Sequence, residues 1–512
     1  MEANFLACDW LFSSTNRQAN NFMAFSDPTP KNLLYIISDQ HNRDLLGCYG
    51  HPSVETPNID RLAERGTRFT NAYTNCPICV PARASLATGR YVHQIGYWDN
   101  AFPYDGQIRS WGHHLREQGH QVDSIGKLHF SGNGVDHGFS REVEPLHVVD
   151  GIGDVLACIR QAPPIRDKRG EIYQASSGDS TYLQYDQRNT DNACQWIKTH
   201  QHDENPWVLF LSFVCPHPPY IAPSDLFNQY SIEQVKLLPQ SAPEDWPDHK
   251  AIDRFRNFFA YDQPFTENEI LQLHLAYYGV CTYLDYQIGQ VLKTLDLCGL
   301  TDSTRIIYTS DHGDSLGARG LYGKFTMYEE SVAVPMIMAG PDIPVDTIVN
   351  TPVSLVDSYP TIIEAVGANP TDDEISWTEL DGESLWSIVN SPSQDRTVFS
   401  EYHAVGSQDA VYMLRDLRYK YVHYVNERPQ LFDLDNDPDE CDDLSLCLDH
   451  RSVLSDFENR LTQYLDPVAV NEQAHQAQQA CIVDNGGEIE VRQRGAFDNS
   501  PVPGEKAAFR LH

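Results

Sequence analysis

Short apolar runs alternate with stretches of helical periodicity along most of this chain. The run NLLYIIS at 32–38 is almost continuously apolar, which is typical of a strand covered on both faces of a sheet. Similar runs predict strands at 122–126, 207–213, 305–310 and 334–339. We therefore expect the α/β class, with a large, mostly parallel sheet flanked by helices on both faces.

Two segments carry clear helix signals. Residues 57–65 place Ile59 and Leu62 on one side of a short helix, and Gly66 ends it. A long helix is predicted over 267–298, where Thr266 and Glu269 form a capping box and leucines follow at helical spacing. These helices fit the layered α/β architecture.

The rhythm changes after residue 398. Runs at 411–415, 419–424 and 431–434 predict half-exposed strands of a small antiparallel sheet, followed by a helix at 453–464. Beyond 467 the chain is rich in Gln, Asn and Gly without periodicity, which indicates a loose tail or an arm that docks on a partner subunit. The predicted organisation is an extension at 1–30, an α/β domain at 31–397, a subdomain at 398–466 and a tail at 467–512.

Charge limits the partners. Of the 512 residues, 72 are acidic and 37 are basic, so the net charge of −35 disfavours nucleic acid and anionic membranes but permits a small anion in a locally positive pocket.

The first apolar stretch, at 5–12, is broken by Asp9 and lacks a basic segment before it, and no apolar run reaches membrane-spanning length. We expect a cytoplasmic protein. Met23 begins a more conventional start, so we expect residues 1–22 to be an extension with little role in the fold.

The 12 cysteines are scattered, as expected of reduced thiols. Cys76 and Cys79 form a C-x-x-C, whose spacing alone also suits a redox pair or half of a zinc site. The sequence offers no second C-x-x-C to complete a zinc site.

Polar residues follow four of the predicted strands. A lone aspartate after a strand is usually a cap or turn residue, but ligands of open α/β sheets gather at the carboxyl ends of strands, so four clusters together indicate one crevice. The clusters are Asp39-Gln40, Lys127-x-His129, His217 and Asp311-His312. Asp39, Gln40, Asp311 and His312 offer carboxylate, amide and imidazole ligands, which suit Ca²⁺, Mg²⁺ or Mn²⁺.

A further motif runs from Cys79 to Arg90. Pro81 suits the first turn of a helix and Gly89 its end, so Cys79 is placed just before a helix N-terminus, where an anion is favoured. Arg83, about one turn later, can point back towards Cys79.

Cys79-x-Pro81-x-Arg83, with Thr88-Gly89 downstream, resembles the signature of type I sulfatases in the alkaline phosphatase superfamily, whose cysteine is oxidised to formylglycine by a maturation enzyme. Further matches follow in the family's order over about residues 31–444: Gly126-Lys127-Leu128-His129, Pro216-His217-Pro218-Pro219, Ser310-Asp311-His312-Gly313-Asp314, Gly323-Lys324 and Leu431-Phe432-Asp433-Leu434 with Asp437-Pro438. The pairs Asp39-Gln40 and Asp311-His312 depart from the commonest pattern and resemble the choline sulfatase and phosphonate monoester hydrolase branches.

The resemblance implies a mechanism and a set of roles. A hydrated formylglycine at residue 79 attacks the sulfur of a small anionic ester with the help of one divalent cation, Ca²⁺ before Mn²⁺ or Mg²⁺, and the alcohol leaves. His129 then takes a proton as sulfate is released. The implied metal ligands are Asp39, Gln40, residue 79, Asp311 and His312; Arg83 and Lys127 hold the diol, Lys324 and His217 grip the sulfate, and Asn100 is a weaker substrate contact. The implied partners are a maturation enzyme and further copies of the chain, as a dimer or tetramer.

Three alternatives stay open. The same site can act on phosphonate monoesters or phosphodiesters, since these share the size and shape of sulfate esters. A binding module that has lost catalysis is a second alternative, although no motif residue is missing. The third is a thiol oxidoreductase that uses Cys76 and Cys79, against which the metal motifs count.

Overall fold

The computed structural model describes residues 31–132, 134–368 and 380–511, so the predicted N-terminal extension lies outside the described residues. A central sheet of eight strands has the order β8-β2-β7-β6-β1-β5-β3-β4. Its strands are β1 (Asn32–Asp39), β2 (Gly66–Phe69), β3 (Gln121–Lys127), β4 (Arg141–Leu146), β5 (Trp207–Pro216), β6 (Thr304–Ser310), β7 (Met336–Ala339) and β8 (Thr347–Val349).

The sheet is mostly parallel, as predicted. Strand β1 pairs in parallel with β5 and β6, and β3 pairs in parallel with β5, whereas β7 runs antiparallel to both β6 and β2. The sequence analysis did not identify β2, β4 and β8. These strands lie near the two edges of the sheet and carry polar or charged residues in place of a continuous apolar run.

Helices cover both faces of the sheet. On β1, Leu34 and Ile36 pack towards the long helix, while Tyr35 and Ile37 pack into the core on the opposite face, which explains the continuous apolar run. The helices are α1 (Pro57–Glu64), α2 (Cys79–Thr88), α3 (Val92–Ile95), α4 (Trp111–Glu117), α5 (Arg169–Tyr173), α6 (Thr181–Thr199), α7 (Ser224–Phe227), α8 (Lys250–Phe258), α9 (Glu267–Leu297), α10 (Glu329–Val332), α11 (Ser358–Ala365), α12 (Leu385–Asn390), α13 (Arg451–Tyr464), α14 (Pro467–Asp484) and α15 (Glu488–Arg494).

The predicted short and long helices correspond to α1 and α9. In the capping box of α9, the Thr266 hydroxyl accepts from the Glu269 backbone N–H at 3.4 Å, and the Glu269 carboxylate accepts from the Thr266 N–H at 2.7 Å. Within the described part of the chain, no helix combines the length and apolar character that a membrane crossing needs.

The predicted small antiparallel sheet lies towards the C-terminus, with a fourth strand, Val398–Tyr402, that the sequence analysis did not identify. It consists of β9 (Val398–Tyr402), β10 (Val411–Arg415), β11 (Tyr419–Tyr424) and β12 (Gln430–Asp433), in that order. The prediction of half-exposed strands is wrong for β10 and β12, which are buried throughout, whereas β11 has two partly exposed positions. Phe457 and Leu461 of α13 belong to the same buried core as residues of these strands.

The segment after residue 467 is folded on its own chain, so the prediction of a loose tail is wrong. Helix α14 packs against the turn Val155–Cys158, and Gln478 on this helix contacts Arg160 at 3.1 Å. Ile482 and Val491 enter a small core of their own. Helix α14 was not predicted because most of its residues are polar and only a few are buried. A role as an arm between subunits stays a prediction.

Candidate active site

The structure brings the polar residues that follow four parallel strands together at one edge of the sheet. Asp39 ends β1 and Lys127 ends β3, and the Lys127 ammonium lies 2.5 Å from the Asp39 carboxylate. Asp311 and His312 come directly after β6, and the His312 Nε2 lies 3.8 Å from Asp39 and 3.6 Å from Asp311. The parallel pairing of these strands places their ends side by side.

Cys79 is the first residue of α2, so the helix begins one residue earlier than predicted, and the Cys79 side chain is buried beside the strand ends. Its Sγ lies 3.1 Å from His312 Nε2, 3.2 Å from Lys324 Nζ and 3.6 Å from Asp39 Oδ1. Burial and the charge of Asp39 raise the pKa of the Cys79 thiol to about 11, although Lys324 and Lys127 oppose this shift. Cys76, by contrast, lies within an apolar core.

Arg83 contacts the ends of three strands of the central sheet. Its Nε donates to Asp311 Oδ2 at 2.8 Å, its Nη1 donates to the Lys127 carbonyl at 2.8 Å, and its Nη2 lies 3.5 Å from Asp39. The Nη1 also donates to Ser212 Oγ on β5 at 2.9 Å. The guanidinium therefore fixes both carboxylates relative to α2, and its hydrogen bonds are to the protein rather than to the pocket.

Asp39, Cys79, Asp311 and His312 form a group suited to a metal ion, because their ligand atoms all lie within 4.8 Å of one another. The donor set of two carboxylates and one imidazole fits a divalent cation. The Nδ1–H of His312 donates to the Gly313 carbonyl at 3.1 Å, which leaves Nε2 free to bind an ion. Metal-binding histidines commonly donate a hydrogen bond from the ring nitrogen that does not bind the metal.

Gln40 adopts a left-handed backbone conformation with φ of 68°. Its carboxamide joins two charged groups: Oε1 accepts from Lys324 at 2.7 Å and Nε2 donates to Asp314 at 2.6 Å. Tyr220 also donates to Asp314 at 2.7 Å. A backbone conformation of this kind costs a few kcal/mol and is concentrated at functional sites.

Electrostatic shifts within the group agree with its geometry. Burial alone would raise the pKa of Asp39, but Lys127, His217, Lys324 and His312 hold it well below its usual value. Burial and Lys127 hold the pKa of His129 well below its usual range, and burial and Lys324 do the same for His217. Both histidines are therefore neutral near pH 7.

The pocket above Cys79 is lined by most of the predicted residues. Lys127, His129, His217, Lys324 and Asn100 all contribute to its walls. The Nδ1–H of His217 donates to the Pro218 carbonyl at 2.8 Å, so its Nε2 is an acceptor when the ring is neutral. The Asn100 oxygen accepts from the Val80 N–H at 3.3 Å and so also supports the first turn of α2.

The sequence analysis missed several contributors to this region, among them Ser500, Tyr182, Ser212 and Asp314. Ser500, in the C-terminal segment, lies 3.1 Å from His129 Nε2, and Tyr182 donates to the Ser500 carbonyl at 2.6 Å. Ser500 follows His129 by 371 residues in a stretch without periodicity, so no local signal could identify it. Ser212 lies within the predicted strand at 207–213. Asp314 belongs to the motif at 310–314, in which the sequence analysis gave this residue no role.

The pocket concentrates positive charge within a chain of net charge −35. Lys127 and Lys324 stand at its floor, and Arg166 and Lys168 stand in its wall. Arg166 is paired with Asp154, which also lines the pocket. Such a pocket attracts a small anion despite the overall charge.

Comparison with known proteins places this site in a family. The model described as Sulfatase matches residues 31–368, and one described as N-sulphoglucosamine sulphohydrolase, C-terminal, matches residues 317–466. Arylsulfatase K of Bos taurus is 30% identical over 471 residues, covering 88% of this chain and 84% of that protein. Choline-sulfatase of Rhizobium meliloti (strain 1021) is 32% identical over 428 residues, covering 81% and 82%.

The fold has solved counterparts. The structure of a phosphonate monoester hydrolase from Silicibacter pomeroyi matches with a TM-score of 0.69 at 23% identity, covering 85% of this chain and 95% of that one. This likeness shows that the two chains share a fold. The chain belongs to the sulfatase family and is a hydrolase that acts on sulfate esters.

Proposed function

We propose that residue 79 acts as a formylglycine, made from Cys79 by a maturation enzyme, and that the enzyme cleaves small sulfate esters into an alcohol and sulfate. The observation that carries this proposal is the position of Cys79 Sγ. It lies within 3.6 Å of a carboxylate, an imidazole and an ammonium group at the floor of a positively charged pocket.

The unmodified thiol is a poor nucleophile in these surroundings. Its pKa of about 11 leaves it protonated near pH 7, whereas the thiolate is the reactive form of cysteine. Oxidation to an aldehyde replaces the thiol by a carbonyl whose hydrate supplies a hydroxyl as the attacking group. Such a hydrate also offers a second hydroxyl, whose deprotonation allows sulfate to leave without attack by water at sulfur.

The proposed cation is held by Asp39, Asp311 and His312 together with residue 79, and the Gln40 amide is a further candidate ligand. When bound, it supplies the positive charge that makes a hydroxyl acidic near neutral pH and polarises the ester. Ca²⁺ is proposed first because carboxylate oxygens dominate the ligand set, with Mn²⁺ or Mg²⁺ as alternatives. Arg83 orients both carboxylates through its contacts with Asp39 and Asp311.

The other pocket residues are given roles by their hydrogen bonds. Lys127 and Lys324 stabilise the developing negative charge, since both ammonium groups stand at the pocket floor. His129 is the proton acceptor, because its low pKa keeps the ring neutral and its Nδ1 is buried without a hydrogen-bond partner among the described residues. His217 and Asn100 contact the substrate from the side walls.

The alcohol part of the substrate faces an aromatic wall. The rings of Phe259 and Phe325 stack with centroids 4.7 Å apart and an interplanar angle of 22°, and Phe497 from the C-terminal segment joins the same pocket. Flat apolar surfaces suit an aryl or sugar alcohol. The relatives named arylsulfatase K and choline-sulfatase are consistent with a small ester.

A second candidate function is hydrolysis of phosphonate monoesters at the same residues. It is favoured by the fold likeness to phosphonate monoester hydrolases and by the pairs Asp39-Gln40 and Asp311-His312. Sulfate and phosphonate esters have the same tetrahedral shape, so the lysines of the pocket would bind either.

A parallel kinetic assay separates the two. The protein is co-expressed with a formylglycine-generating enzyme, and kcat/KM is compared for 4-nitrophenyl sulfate and 4-nitrophenyl phenylphosphonate. We expect a preference for the sulfate, and a preference for the phosphonate would favour the second function. The matched control is Cys76→Ala, which removes the other cysteine of the C-x-x-C and should leave kcat/KM close to that of the wild type.

A further inference from the structure

We propose that His137, Glu142 and His147 bind a Zn²⁺ ion at a second site, separate from the active-site ligands. These residues surround β4, the edge strand of the central sheet: His137 lies in the turn before it, Glu142 lies on it and His147 follows it. Each offers one ligand atom, and these atoms all lie within 4.8 Å of one another.

The separations fit a tetrahedral ion. Zinc binds imidazole nitrogen and carboxylate oxygen at about 2.0–2.2 Å, so two ligands of one tetrahedral ion stand about 3.3 Å apart. The His137 Nδ1 lies 2.9 Å from Glu142 Oε1, and the His147 Nε2 lies 3.3 Å from Glu142 Oε2. Two imidazoles and a carboxylate are also a common zinc donor set, with water as the fourth ligand.

The hydrogen bonds of His137 prepare it for this role. Its Nδ1 lies 2.9 Å from Glu142 Oε1 and its Nε2 lies 3.3 Å from the Ser131 hydroxyl, so that when Nδ1 binds an ion in place of its proton, the Nε2–H donates to Ser131. Metal-binding histidines usually donate their other ring N–H in this way. The His137 carbonyl accepts from Ser110 Oγ at 2.9 Å, so the backbone of the turn is held as well.

His147 supplies the observation that points to a missing ligand. Its side chain is only 8% exposed, yet neither ring nitrogen has a hydrogen-bond partner among the described residues. Its Nε2 lies 3.3 Å from Glu142 Oε2, but the angle between the two groups does not allow a hydrogen bond. Ligands that converge on a shared ion point at the ion and not at each other, which accounts for this geometry.

The charge of the group agrees with a cation. Glu142 contributes a carboxylate group beside the two imidazoles, and its negative charge favours a cation. Its side chain is 18% exposed, which leaves a route for an ion and a water ligand. Without an ion, the same carboxylate would have to be balanced by protons on the two imidazoles.

An ion here would brace the segment that carries His129. The Leu146 carbonyl, adjacent to His147, accepts from the His129 N–H at 2.8 Å and from the Leu128 N–H at 3.1 Å. On the other side of His147, the Val148 N–H donates to the Phe130 carbonyl at 3.1 Å. The backbone of His129 has φ of 56°, an uncommon conformation that needs support from its surroundings.

Calorimetric titration with Zn²⁺ tests the proposal on the full chain. The buffer contains excess Ca²⁺, which occupies an oxygen-rich site but competes poorly for imidazole ligands. We expect the wild type to bind one more equivalent of Zn²⁺ than His147→Gln and Glu142→Gln. Affinity at this site should fall at least about tenfold in each variant, because even residues that only support metal ligands contribute that much.

His202→Gln is the matched control, since it removes an exposed histidine elsewhere. Zn²⁺ should raise the melting temperature of the wild type and His202→Gln but not of the two site variants. Equal Zn²⁺ stoichiometry and affinity in the wild type and both site variants would overturn the proposal. If either variant fails to fold, Co²⁺ titration of the wild type decides, because a four-coordinate site gives strong visible absorption and its absence would equally overturn the proposal.

Discussion

Two buried charged clusters in this protein show what burial of charge is used for. The active-site cluster, Asp39, Cys79, Asp311, His312 and Lys324, forms the floor of the pocket. The domain-joining cluster, Arg43, Glu329, Lys420 and Glu440, lies between the large domain and the small sheet. Both clusters consist of side chains with little exposure.

The domain-joining cluster closes on itself. Lys420, on β11, lies 2.8 Å from Glu329 and 2.6 Å from Glu440, and Arg43 lies 3.0 Å from Glu329. The Glu440 carboxylate also accepts from the Glu329 N–H at 2.7 Å. Each charge has an opposite charge supplied by the protein, so the cluster fixes the small sheet against the large domain.

The active-site cluster also consists of buried acidic and basic side chains, but it borders a pocket. Lys324 contacts the Cys79 sulfur and Gln40, and Asp39 and His312 converge on the same sulfur. Because this cluster faces a pocket, its charges are available to a cation and an anionic substrate. The comparison indicates that substitutions in the domain-joining cluster reduce stability and that substitutions in the active-site cluster reduce turnover.

The largest expected effect is on turnover. Cys79→Ala should lower kcat/KM for 4-nitrophenyl sulfate by at least about a thousandfold, because it removes the attacking group itself. Its unfolding should remain cooperative by circular dichroism, since the change removes one small atom from a pocket floor. A variant that retains a tenth of the wild-type activity would contradict the assignment of residue 79.

Lys420→Met, in the domain-joining cluster, should lower the stability of the protein. It leaves Glu329 and Glu440 without their shared cation, and breaking a buried ion pair costs about 3–5 kcal/mol. Urea denaturation should show this loss in the free energy of unfolding, while kcat of the folded fraction stays near the wild-type value. A matched exposed variant, Lys506→Met, should change stability little, and equal stability of both would remove the basis of the comparison.

The domain-joining cluster should also respond to acid. Burial alone would raise the pKa of Glu329, but Lys420 and Arg43 hold it at about 2, below its ordinary value of 4.5. Because the pKa is depressed in the folded state, the stability from ionised Glu329 is complete above pH about 4.5 and is lost as the pH falls towards 2.

Glu329→Gln tests this linkage. The difference in unfolding free energy between the wild type and the variant should shrink on acidification, by an amount on the order of 2–3 kcal/mol. The measurement is urea denaturation of both proteins at several pH values between 6 and 3. A difference that does not change with pH would show that Glu329 is not ionised in the folded protein.

The smallest expected effect concerns the C-terminal segment. Ser500→Ala removes the hydrogen-bond partner of His129 Nε2, and a hydrogen bond of this kind contributes about 1 kcal/mol, or about fivefold in rate. We expect kcat to fall with little change in KM and the pH profile of kcat to shift. Ser500→Thr, which keeps the hydroxyl, should restore kcat, and equal loss in both variants would indicate a steric effect.

Much of the active site could be predicted from the sequence because its residues follow buried strands. The apolar runs before Asp39, Lys127 and Asp311 identify strands, and parallel strands of one sheet end at a common edge. The motif from Cys79 to Arg83 added the helix N-terminus. Gly126 accompanies this geometry, since its φ of 97° and close contact with the Ser212 carbonyl admit no side chain before Lys127.

Residues joined only by tertiary contact could not be predicted. Ser500 meets His129 because α14 folds back on its own chain, and the apolar contacts of α14 are few and widely spaced. The edge strand β4 was missed because its residues are charged, and with it the grouping of His137, Glu142 and His147. In each case the deciding interaction lies between segments without a local apolar pattern.

The most direct test of the central claim is mass spectrometry of the peptide that contains residue 79. The active enzyme, co-expressed with the maturation enzyme, is digested after its turnover of 4-nitrophenyl sulfate has been measured, and the aldehyde fraction is compared with kcat across preparations. We predict that residue 79 is a formylglycine and that activity rises in proportion to its fraction. Full activity in preparations whose residue 79 is an unmodified cysteine would contradict this account.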